Sequence, residues 1–67
     1  MNSSKFGIIV RNRRKALDLT QADLSLATGI GIRYISDLER GKPTCELERA
    51  LKIVAALGLK AELSERR

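Results

Sequence analysis

TQADLSLATGIGIRYISDLERGK, residues Thr20 to Lys42, decides how this chain folds. Leu24 and Ala27 stand one helical turn apart, and Ile35 and Leu38 repeat that interval further on, with Ile30 between the pairs. Residues three or four apart share a helix face. The stretch therefore reads as two short helices whose apolar sides meet on Leu24, Ala27, Ile30, Ile35 and Leu38. Between them Gly29 marks a sharp reversal, which needs a positive φ that glycine takes without a Cβ penalty. Ser25 is small enough to let the second helix cross closely over the first. Ile32, Arg33, Ser36, Asp37 and Arg40 are left outward, a mixed polar face of the kind that hydrogen-bonds base edges.

The surrounding composition narrows the setting. With 67 residues the chain is a single domain near the lower size limit for folding without disulfides or metal. Cys45 has no second cysteine to pair with, and without histidine no zinc site of usual composition can form. No cofactor is expected. The longest apolar run, Ile53 to Leu59, is far shorter than the roughly 18 residues of a membrane span, and no leader segment is visible, which together suit a bacterial cytoplasm. Net charge is +5. Eight of the 13 basic residues precede Thr44, against four acids, Asp18, Asp23, Asp37 and Glu39. Such a clustered positive field attracts a phosphate backbone and points to the nucleoid.

Outside the deciding stretch, Ser3 or Ser4 can cap a first helix running to about Leu17, with Phe6, Ile9, Val10 and Leu17 inward. Asp18 follows where a helix end turns left-handed. Thr20 is the expected N-cap of the second helix, Gln21 to Thr28, and the third runs from about Ile32 to Arg40, stopping at Gly41. Pro43 bars continuation, and Thr44 caps a fourth helix from Cys45 to Leu57, with Leu47, Leu51, Val54 and Leu57 as its buried face. Gly58 ends it. Leu59, Ala61 and Leu63 then alternate with polar residues, a strand pattern. A lone strand cannot satisfy its own backbone, so residues 59–64 are expected to pair antiparallel with a second copy across a two-fold axis. The expected fold is thus mainly α: a helical core over 6–57, closed as a homodimer by a short strand.

Catalysis finds no support. The acids are scattered, there is no glycine-rich phosphate loop, and Cys45 lacks a histidine to activate it. Arg33, near the start of the third helix, suits guanine O6 and N7 in the major groove. Ile32 can touch a thymine methyl or shield the turn. Ser36 and Asp37 follow on the same side, and Asp37 can accept from cytosine N4 or orient Arg33 or Arg40. Tyr34 offers a hydroxyl to a phosphate, or a ring to the core. Gln21, at the start of the second helix, joins an amide to free backbone N–H groups, which suits a phosphate. Arg40 and Lys42 flank the backbone at the other end of the third helix. Arg14, at the edge of the first helix's apolar stripe, pairs with Glu39 and locks that helix onto the reading helix. Arg13 falls in the middle of the stripe, with only a snorkelling stem to explain it.

With these residues in place, the chain from Phe6 to Leu57 resembles the Cro and phage-repressor class of helix-turn-helix proteins, the XRE family. The carriers are Leu19-Thr20-Gln21, Gly29, Ile35-Ser36-Asp37-Leu38-Glu39-Arg40-Gly41 and Pro43-Thr44. The resemblance implies a lambda-repressor-like bundle of four helices that binds double-stranded DNA at pseudo-palindromic operators. It puts Gln21 at a phosphate-binding position, Ile32, Arg33 and Asp37 at base-reading positions, and Arg14 with Glu39 at a buried ion pair. Asp18, Thr28 and Gly31 depart from its usual glycine, apolar residue and capping Ser or Thr. The ending Gly58 to Leu63 is similar to that of HipB-type antitoxins, which implies autorepression and a HipA-like kinase toxin as partner. Two alternatives stay open: a restriction–modification controller, and a protein-interaction module, the latter suggested by Leu26, outward where a polar residue is usual.

Overall fold

The described residues form four helices, the first two opened by side-chain caps: α1 (Ser3–Ala16), α2 (Gln21–Thr28), α3 (Ile32–Glu39) and α4 (Leu47–Ala56). They belong to a computed structural model that describes residues 2–43 and 46–59. α1 starts one residue earlier than the serines suggest. Asn2 is its cap, and the Asn2 side chain accepts the Lys5 N–H at 2.9 Å; asparagine caps at least as well as serine. α2 opens with a reciprocal box. Thr20 Oγ1 accepts the Asp23 N–H at 3.0 Å, and the Asp23 carboxylate accepts the Thr20 N–H at 2.9 Å.

Three helices end alike, in a left-handed residue whose own amide and the next one bond back to the last turn. Asp18 plays this part for α1 at φ 59, and Gly41 and Gly58 do so for α3 and α4. The returning amides are Leu19 to the Arg14 carbonyl, Lys42 to Asp37 and Leu59 to Val54. Leu59 therefore closes α4, and its side chain packs against the core. Ala61 and Leu63, the rest of the expected dimer strand, lie outside the described residues, as do Thr44 and Cys45.

The α2–α3 turn is built as the sequence suggests, with Gly29 left-handed at φ 75, and two hydroxyls complete it. Thr28 Oγ1 donates to the Leu24 carbonyl at 2.8 Å and accepts the Ile30 N–H at 3.2 Å. Ser25 Oγ donates to the Ile30 carbonyl at 2.6 Å. Thr28 thus satisfies the Ile30 amide in the turn, which an apolar side chain would leave to water.

One buried cluster holds the helices together: Val10, Leu24, Ile30, Ile35, Leu38, Ile53 and Leu57, flanked by partly buried Phe6, Leu19, Tyr34 and Leu59. α1 packs on α3, and α2 packs on both α3 and α4. Burying each such aliphatic side chain contributes about 1.5–3 kcal/mol. Several expected core positions are corrected here. Ile9, Leu17 and Ala27 face solvent. α4 begins at Leu47, and its inward face is Ala50, Ile53, Val54 and Leu57, with Leu47 70% and Leu51 44% exposed. The inward face of α1 is Gly7, Val10 and Arg14.

Gly7 has the most demanding position of these. A Cβ there would fall 2.3 Å from the Leu38 carbonyl oxygen and 2.7 Å from that of Glu39. α1 therefore rests directly on the backbone at the end of α3, which only glycine permits. A mid-helix glycine costs roughly 0.5–1 kcal/mol against alanine, and the close crossing explains its use. Among the described residues no helix is long and apolar enough to cross a membrane.

Candidate nucleic-acid interface

Arg14 and Glu39, 25 residues apart, meet in a buried bidentate pair. Arg14 Nε donates to Glu39 Oε2 at 2.7 Å and Nη2 donates to Oε1 at 3.0 Å, with side chains only 9% and 3% exposed. Two further bonds extend the pair. Arg14 Nη1 donates to the Leu19 carbonyl at 2.7 Å, and Gln21 Nε2 donates to Glu39 Oε1 at 3.2 Å. The network thus joins α1, the entry to α2 and the end of α3. Burial pushes the Glu39 carboxyl up, but the hydrogen bonds from Arg14 and Gln21, with the charges of Arg14 and Arg11, outweigh it and hold the group below the usual carboxylate range. The bond to Glu39 raises the Arg14 guanidinium further against the effect of burial.

On α3, Ile32 and Arg33 are exposed in the first turn, and Ser36 and Asp37 are half-buried one turn on. Among the described residues no hydrogen bond or ion pair engages Arg33. Asp37 is occupied: Oδ1 accepts from Arg40 Nη2 at 2.6 Å, and Lys42 Nζ stands 3.9 Å from Oδ2. Its carboxylate gathers two cations at the end of α3. Tyr34 is also engaged within the protein. Its ring packs against the core, its hydroxyl donates to the Glu46 carbonyl at 3.0 Å, and the Arg49 guanidinium lies 5.6 Å from the ring centroid. It fastens α3 to the approach to α4.

A family model described as helix-turn-helix matches residues 10–63. An uncharacterized HTH-type transcriptional regulator, y4mF, of Sinorhizobium fredii (strain NBRC 101917 / NGR234) is 39% identical over 57 residues, spanning 85% of this chain and 75% of the relative. The chain belongs to the XRE-type helix-turn-helix family.

Within the helix-turn-helix unit, the structure brings Gln21 to Glu39 and Arg14, and Arg40 and Lys42 to Asp37, while Arg33 stands apart. Two links escaped the sequence reading. One is Gln21 to Glu39: two side chains from different helices meeting on one carboxylate leave no local spacing to find. The other is Arg13, whose Nε donates to the Leu57 carbonyl at 2.9 Å. Its signal was present as a charge in the middle of an apolar stripe. The physical reason is a helix end: α4 terminates with unpaired carbonyls, which attract a cation.

Proposed function

We propose that this chain is a sequence-specific DNA-binding transcriptional repressor that lays α3 in the major groove as a homodimer. The observation that carries the reading is the exposed first turn of α3, where Ile32 and Arg33 stand clear at the start of a helix that is otherwise anchored on its buried face. A recognition helix presents its N-terminal residues to base edges in this way. The regulator name of the 39% identical relative, the family match and the net charge of +5 support it. Arg33 is the base reader, with Ile32 and Ser36 beside it. Gln21, Arg40 and Lys42 contact phosphates, the last two set by Asp37. In a dimer the half-sites lie roughly 34 Å apart.

Binding selections on a random duplex library with the Arg33→Ala variant test this. The expected result is relaxed preference at one base pair per half-site and affinity weaker by about 1–3 kcal/mol. Equal loss on every sequence would make Arg33 a phosphate contact instead. Lys42→Ala should weaken all duplexes alike and lower the salt dependence by about one counterion.

The finer reading is an antitoxin that represses its own operon and binds a HipA-like kinase toxin. It draws on the resemblance of the Gly58 to Leu63 ending and on Leu26, which is 87% exposed on α2. Truncation after Gly58 should abolish the dimer. A dimer that persists would favour the restriction–modification controller, whose usual interface is a further helix.

A further inference from the structure

Gln21 has a fixed amide orientation, and its cause is Glu39. A carboxylate accepts hydrogen bonds and donates none, so the contact with Glu39 Oε1 at 3.2 Å requires the NH2 side of the Gln21 amide to face it. The same oxygen accepts from Arg14 Nη2 at 3.0 Å, and the other oxygen accepts from Arg14 Nε at 2.7 Å. The Glu39 side chain is 3% exposed and has no freedom to turn away. Gln21 is the first residue of α2, and of the first-turn amides there the Thr20 side chain takes only that of Asp23. The second N–H of its side chain therefore belongs to a helix start already suited to an anion.

We propose that Glu39, held by Arg14, is a positioning residue for the phosphate contact at Gln21. The inference rests on the DNA-binding reading above and adds a role to an ion pair that otherwise serves packing. A long side chain ordered in the free protein does not have to be ordered on binding, and that saving lowers the dissociation constant. Removing the restraint leaves the phosphate contact available but no longer prepared.

The test is a double-mutant cycle of Gln21→Ala and Glu39→Gln, read as dissociation constants for a labelled duplex selected from a random library. Thermal unfolding of each variant is recorded alongside. Glu39→Gln should weaken binding about three- to tenfold per half-site while Gln21 is present, the size expected for ordering one long side chain. In the Gln21→Ala background it should change little. Equal weakening in both backgrounds would overturn the proposal while leaving DNA binding intact. If Glu39→Gln does not fold, the wild-type chain decides through the Gln21 side-chain amide in nitrogen-15 NMR. A proton pair displaced from the shifts of an unstructured glutamine, in which only the proton turned away from Glu39 moves further when duplex is added, supports the proposal. A pair at the shifts of an unstructured glutamine overturns it. A wild-type chain that binds no duplex at any salt concentration would remove the DNA reading itself, and the proposal with it.

Discussion

Asp18 and Gly7 depart from helical preference in opposite directions, and each is explained by one contact or its absence. Asp18 holds a left-handed backbone at φ 59, where an L-residue costs roughly 1–2 kcal/mol, and it sets a negative charge at the C-terminal end of α1, against the helix dipole. Asp18→Gly should therefore stabilise the fold by about 1 kcal/mol, read as a raised urea midpoint at unchanged slope. Gly7→Ala should do the reverse. Its new methyl group meets the backbone oxygens of Leu38 and Glu39, which cannot swing aside, and the expected loss is about 1–3 kcal/mol or more. Asp18 was legible in the sequence because a helix end is local. Gly7 was not, because its reason lies on another helix, more than 30 residues on in the chain.

Among the elements, α2 and α3 were readable nearly to the residue, since Thr20, Gly29 and Gly41 set their ends by local chemistry. α1 and α4 were readable as helices but not in phase. Ile8, Ile9 and Val10 are consecutive, so the apolar stripe of α1 can be drawn along either side. The true inward face carries Arg14, a charge that periodicity assigns to solvent. On α4, Leu47 and Leu51 make as good a stripe as Ala50, Ile53, Val54 and Leu57, and only docking against α2 selects the latter. The Arg14–Glu39 pair was foreseen, but its reach to Leu19 and Gln21 was not. Because that pair joins α1 to α3 in a dry setting, Glu39→Ala should cost about 3–5 kcal/mol, mostly from stranding the Arg14 charge. Replacing both residues by Met and Leu should cost less than either single removal. Guanidinium unfolding of the three variants at neutral pH checks the order.

For the whole molecule, protonation and folding are linked, among the described residues, through two carboxyls. Hydrogen bonds from the Thr20 backbone and side chain lower the Asp23 pKa, and the Glu39 pKa is lowered despite burial, through Arg14 and Gln21. Groups lowered on folding add stability that is complete above their unfolded pKa of about 4 and is lost as pH falls through the folded value. The melting temperature should hold steady from neutral pH to about pH 5 and fall below about pH 4. Thermal melts followed by circular dichroism would show it, and Asp23→Asn should flatten part of the fall. The bond from Arg13 to the Leu57 carbonyl spans 44 residues and ties α1 to the last turn of the chain's final described helix. It can close only after both helices have formed and docked, whereas the α2–α3 unit forms from near neighbours. A contact of that span is expected to form after the rate-limiting step of folding. Arg13→Met should then leave the folding limb of a chevron in place and raise the unfolding rate, so that the native state's lifetime, more than its speed of assembly, depends on a single arginine of α1.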